Sequence, residues 1–208
     1  MSSISSLISA GGECRVQRDS LNNEYNYLIG VDSGVSHLYR LFLRPTHIIG
    51  DFDSISKKDL DRGKKDGATF IELEESKDQS DLEAAFQLAF DLKSDEIILI
   101  GGEGGEVDQL FGIFALCAAF SNNLNIKWMN KGYDIFFQNE ITLNVEKGQL
   151  FSIVPITNLK KVFIEGAHWN LDGENIELGS SQTLRNESVG EQVSIKIEEG
   201  KAAILVKI

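Results

Sequence analysis

The stretch Thr46-His47-Ile48-Ile49-Gly50-Asp51-Phe52-Asp53-Ser54 decides the fold of this chain. Its first half is a short apolar run of the kind that forms a buried strand, and it stops at glycine, aspartate and serine, the formers of turns and caps. On either side, similar apolar runs recur at 7–9, 27–31, 69–73, 97–100 and 126–129. Segments with helical spacing lie between them, at 35–42, 57–66, 81–92 and 107–120. Strand and helix in alternation is the signature of a parallel sheet with crossover helices. From residue 141 the helical spacing stops. Alternating runs at 149–154, 193–197 and 203–208 follow, separated by the Lys147-Gly148, Asp172-Gly173 and Glu199-Gly200 turns, as in an all-β body. The expected class is α/β: a parallel-sheet, three-layer α/β domain over residues 1–138, then a small C-terminal all-β sandwich over residues 139–208.

Composition narrows the function classes. The chain has 208 residues, 42% hydrophobic and 25% charged, an ordinary globular mixture able to bury a core. Its net charge of -12 repels phosphate backbones and anionic membranes, so neither nucleic acid nor a membrane is an expected partner. Any polyphosphate it binds needs a cation. Cys14 and Cys117 are too few for a disulfide scaffold and sit in no metal-like spacing, so both are expected free and buried. No signal peptide is read at the start and no run approaches a membrane span; a cytoplasmic location is expected.

In an open parallel sheet, ligands bind beyond the carboxyl ends of the strands. Successive strands here are followed by Gly11-Gly12, Asp32-Ser33-Gly34, Gly50-Asp51-Phe52-Asp53-Ser54, Asp78-Gln79-Ser80-Asp81 and Gly101-Gly102-Glu103-Gly104-Gly105. Turns are commonly rich in such residues, but five in a row on one edge favour a site. In an extended stretch, carboxylates two apart point to one side, so Asp51 and Asp53 are expected to converge while Phe52 turns inward. Two such charges about 4 Å apart repel by about 4 kcal/mol at the effective dielectric of a protein surface, which calls for a shared proton or a metal. Oxygen-only ligands favour Mg2+, which completes its shell with substrate phosphates. The structural alternative is that Asp53 or Ser54 caps a helix beginning near Ser56, which leaves Asp51 unexplained. Ser80-Asp81-Leu82-Glu83 fits a capping box, with Asp78 outside it. The glycine-rich loop can bring backbone N–H groups to a phosphate at a helix start, although it matches no standard nucleotide motif. Asp108, one turn in, suits the helix dipole.

Taken in order, these motifs resemble the thiamine pyrophosphokinase family. The resemblance runs through Asp32-Ser33-Gly34, Gly50-Asp51-Phe52-Asp53-Ser54, Asp78-Gln79-Ser80-Asp81 and Gly101-Gly102-Glu103-Gly104-Gly105-Glu106-Val107-Asp108-Gln109, then Trp169-Asn170-Leu171 and Thr183-Leu184-Arg185-Asn186-Glu187. Glu106, Gln109 and Arg185 depart from the family's arginine, histidine and serine. The resemblance implies Mg2+-dependent transfer of a diphosphate from ATP to the thiamine hydroxyl, with AMP leaving, in a homodimer. It implies Asp51, Asp53, Asp78 and Asp81 as catalytic metal ligands, and Asp32, Gly101, Gly102, Gly104, Gly105 and Asp108 at the nucleotide. Trp169, Thr183 and Asn186 fall to thiamine, with Trp169 as an aromatic wall for the cationic thiazolium; its structural alternative is a sandwich core residue. His168 is expected to be an exposed loop residue without a partner. Two other functions stay open: a homologue that binds nucleotide or thiamine without turnover, and a phosphohydrolase with an aspartyl nucleophile.

Overall fold

A computed structural model describes residues 3–21, 24–74 and 79–208. The chain divides into two compact units, Met1–Leu116 with Asn123–Lys131, and Cys117–Asn122 with Gly132–Ile208. The boundary expected at 138/139 lies inside the second of these.

The first unit is built on six strands, β1 (Ser5–Ser9), β2 (Tyr27–Val31), β3 (His47–Gly50), β4 (Thr69–Glu72), β5 (Glu96–Ile100) and β6 (Asn125–Asn130), with helices α1 (Val35–Arg40), α2 (Lys57–Asp66), α3 (Asp81–Asp91) and α4 (Val107–Phe120) between them. The strand order is β6-β5-β1-β2-β3-β4, and the pairings among these six are parallel. Every helix expected from periodicity is present, to within two residues at its ends. β1 and β5 are buried at every position after the first because both of their faces are covered, and in β1 that burial includes Ser6 and Ser9. Leu7, Ile98 and Ile100 pack with Leu38 and Leu41 in one core cluster. Val35, Tyr39, Ile48 and Ile55 form another, with Phe52 and Phe70 against it.

In this order the chain runs outward from β1 to β4 and then returns to lay β5 on the other side of β1. The functional loops therefore leave neighbouring strands at one edge.

The second unit is antiparallel. Its strands are β7 (Tyr133–Phe136), β8 (Glu140–Asn144), β9 (Leu150–Pro155), β10 (Leu159–Glu165), β11 (Leu171–Ile176), β12 (Asn186–Glu187), β13 (Gln192–Glu199) and β14 (Ala202–Lys207). They lie in the orders β12-β9-β14-β7 and β11-β10-β13-β8. One core joins Phe151, Ile153 and Ile204 to Val162, Ile164, Val193 and Ile195, so residues of both layers meet as a sandwich requires. β13 alternates exposed and buried positions along most of its length, the period-two pattern its sequence carries.

Candidate active site

The site of the first unit begins with how two loops turn. β2 ends at Val31 and the chain enters a single turn of 3-10 helix, Asp32–Gly34, with Asp32 at φ 44. β3 ends at Gly50 with φ 146, and Phe52 follows at φ 64. The stretch after β3 is therefore a turn, and the extended geometry expected for Asp51 to Asp53 is not what forms. The turn is closed by the Asp53 backbone N–H, which donates to Asp51 Oδ1 at 3.0 Å. Phe52 does turn inward, edge-on to Phe70 at 5.8 Å. Its burial supplies the apolar contact that holds the loop in shape. A second tie comes from the Ser33 N–H, which donates to Ser54 Oγ at 3.2 Å. Neither Asp53 nor Ser54 caps α2. That role falls to Ser56, whose hydroxyl oxygen accepts from the Asp59 N–H.

These turns bring carboxylates from three loops together. Asp32 shares a hydrogen bond with the Asp81 carboxyl and lies within the field of Asp51, while the Phe52 N–H donates to it. Burial first, then the Asp81 hydrogen bond and the charges of Asp81 and Asp51, push its carboxyl up to about 7. Its Oδ1 is buried with no hydrogen-bond partner. A buried polar atom in that condition costs about 1–3 kcal/mol. Asp81 itself opens α3, where Ser80 is the N-cap accepting from the Glu83 N–H, as the capping-box spacing predicts. Asp53 is exposed on the same loop as Asp51. Asp78 lies outside the described residues. Among the described residues, no three His, Cys, Asp or Glu side chains are grouped closely enough to hold a metal ion unaided.

The glycine loop has a different economy. Gly102 N–H donates to Gly11 O at 2.7 Å, and Glu13 pairs with Glu103 through two backbone hydrogen bonds, so the loops after β1 and β5 are laced together. A Cβ on Gly101 would stand 2.3 Å from Ala10 O, and one on Gly102 would stand 2.6 Å from Ile113 Cδ1. These two glycines answer to their own packing. Gly104, Gly105 and Asp108 lie on the exposed side, and Asp108 Oδ1 accepts from the Gln109 N–H. Glu103, to which the sequence assigned no role, accepts from the Lys131 N–H through Oε2 and buries Oε1 without a partner.

In the second unit a cleft of about 470 Å³ is lined by Trp169, Thr183 and Asn186 together with Ile164, Leu171 and Glu174. Trp169 is 58% exposed, which excludes the core reading. It is held by its backbone: Asn186 Oδ1 accepts from the Trp169 N–H at 3.1 Å and Asn186 Nδ2 donates to Trp169 O at 2.8 Å. Thr183 is buried and donates to Ile153 O. His168 is edge-on to the Trp169 ring at 4.7 Å, so it has a partner after all. Cys117 is buried as expected, but Cys14 is only half-buried; both are free.

The family described as "Thiamin pyrophosphokinase, catalytic domain" matches residues 18–128, and "Thiamin pyrophosphokinase, vitamin B1 binding domain" matches residues 138–202. This chain belongs to the thiamin pyrophosphokinase family. As a member, it is an ATP-dependent diphosphotransferase that makes thiamine diphosphate, and the aspartyl phosphohydrolase reading is set aside. The thiamine pyrophosphokinase of Bacillus subtilis is 27% identical over 200 residues, covering 93% of this chain and 94% of that protein. In fold, the chain is similar to the crystal structure of the Bacillus subtilis thiamine pyrophosphokinase, with a TM-score of 0.86 at 24% identity over 98% of each chain. It is also similar to that of yeast thiamin pyrophosphokinase, with a TM-score of 0.80 at 16% identity over 100% of this chain and 87% of the other.

Proposed function

We propose that the aspartate loops of the first unit hold ATP through Mg2+ and that the Trp169 cleft of the second takes thiamine. The observation that carries the first half is the crowding of Asp32 by Asp81 and Asp51, carboxylates from three loops whose mutual repulsion a cation would relieve. The donors suit that ion. All are carboxylate oxygens, and Mg2+ is usually held by one or two carboxylates and completed by substrate phosphates.

In this reading Asp51, Asp53, Asp78 and Asp81 hold the metal. Bound there, Mg2+ neutralises charge on the phosphates and orients them, the main catalytic demand of phosphoryl transfer. Asp32 fixes Asp81 through their shared hydrogen bond and, with Gly101, Gly102, Gly104, Gly105 and Asp108, frames the nucleotide. Gly104 and Gly105, on the exposed side, are the members of the loop open to a phosphate. Trp169 offers an exposed ring to a cationic ligand, with Asn186 holding its backbone and Thr183 tying the neighbouring wall of the cleft to β9. In the second unit, Asn186 therefore works through the backbone of Trp169.

Val107, Leu110 and Phe111 form an exposed apolar strip at i, i+3 and i+4 on α4, which supports a homodimer, and no helix among the described residues is long and apolar enough to cross a membrane. A cytoplasmic location is the reading consistent with its biosynthetic role. Mass spectrometry of products from thiamine, ATP and Mg2+ tests the assignment. Thiamine diphosphate and AMP in equal amounts, lost on chelation, are expected; formation undiminished by a chelator would overturn the metal role. Light scattering at twice the 23.1 kDa chain mass checks the dimer.

A further inference from the structure

A β-bulge places one carboxylate in the Trp169 cleft. β10 and β11 pair as Ile164 with Leu171 and Phe163 with Asp172, but Val162 then pairs with Glu174, skipping Gly173. Gly173 sits at φ 92, a backbone state that glycine adopts without strain. In an unbroken strand, Glu174 would share a face with Asp172, opposite Leu171. The extra residue reverses this: directly paired residues point the same way, so Glu174 joins the face of Val162, Ile164 and Leu171. Ile164, Leu171 and Glu174 accordingly line the cleft with Trp169. The Asp172 N–H donates to Glu174 Oε2, which restrains the carboxylate. Among the described residues, Glu174 is the one acidic residue lining the cleft, and no lysine or arginine lines it.

We infer that Glu174 is the charge-selecting residue of the thiamine cleft, recognising the positive charge of the substrate that the Trp169 ring faces. This rests on the cleft being the thiamine site. An aromatic face prefers a cation but gains much of its energy from apolar contact, which a neutral ring of equal shape supplies equally well. A carboxylate at the rim separates the two, because only the cation gains from it.

The test compares thiamine with its neutral isostere, in which a thiophene replaces the thiazolium. Binding of both is measured by calorimetry on the full chain, and kcat and KM for thiamine are measured at saturating ATP and Mg2+. For E174Q, thiamine affinity is expected to fall about fivefold, the scale of an exposed charge pair, with KM rising in step and kcat held. Affinity for the neutral isostere should change by less than twofold, which also shows the variant to be folded. Equal loss for both ligands, or loss for neither, overturns the inference. W169A separates the two layers of the claim. If W169A weakens both ligands while E174Q leaves thiamine unaffected, the cleft stands and the role of Glu174 falls. If W169A weakens neither, thiamine binds elsewhere and both fall together.

Discussion

Asn186 and Asp32 are both polar side chains drawn into the protein, one in each unit, and they are treated oppositely. Asn186 is 3% exposed; its Oδ1 accepts from the N–H groups of Trp169 and Glu187, and its Nδ2 donates to Trp169 O. Its burial is compensated within the chain, and its effect is to hold an aromatic ring in solvent. Asp32 keeps a buried oxygen with no partner and shares its neighbourhood with two further carboxylates. The second unit thus satisfies its buried polar group internally. The first leaves crowded carboxylates uncompensated within the described residues, which is what the proposed metal role would answer.

The deepest test of this contrast is Asp51→Asn. Removing one carboxylate from a charge-stabilising site is expected to lower kcat by about 10²–10³, while the melting temperature in chelator stays level or rises because repulsion is relieved. Activity retained with lowered stability would make Asp51 structural instead. Gly50→Ala strikes the backbone beneath the same cluster. A Cβ there would fall 1.7 Å from Asp32 Oδ1 at φ 146, so a loss of about 2–4 kcal/mol in chemical denaturation is expected. Wild-type stability would mean that the turn after β3 relaxes freely.

In the second unit, Asn186→Ala leaves the Trp169 backbone groups unpaired. Unfolding free energy should drop by about 1–3 kcal/mol, with weaker thiamine binding and no change in ATP affinity. Intact thiamine binding would separate Asn186 from the cleft.

The last test is the dependence on pH. Asp32 titrates at about 7 in the folded chain against 3.8 for an unperturbed carboxyl, so the folded state holds its proton more tightly. Below the unfolded value both states are protonated and Asp32 is neutral to stability. Between the two values only the unfolded state has released the proton, so the melting temperature in chelator should fall as pH rises from about 4 to about 7 and then level off. Asp32→Asn should flatten that slope.

Several pieces of this were legible in the residues. The four helices follow from 3.6-residue periodicity and the sandwich from alternation, since both patterns state which face meets the core. Ser80 as a cap was readable because capping is local. Asp51 and Asp53 were recognisable as a pair, yet their geometry was not, because the positive φ of Phe52 depends on its ring being buried against Val35, Tyr39 and Ile48. The family resemblance grouped Asn186 with Trp169 and Thr183, but nothing local marked it as the anchor of Trp169, a contact between residues 17 positions apart. The turn of Glu174 toward the cleft was not legible, because a bulge is a property of two strands in register.

What the chain's residues determine alone is the order of elements, the sign of its charge and the chemistry on offer: carboxylates and glycines at strand ends, an aromatic beyond. Those follow from short-range periodicity and from side-chain identity, which need no partner. Only the tertiary structure decides that Asp32, Asp51 and Asp81 share one neighbourhood, and that a skipped residue at Gly173 aims Glu174 into a cleft. Proximity and facing are set by strand order and register, and these are fixed by packing between segments far apart in the sequence.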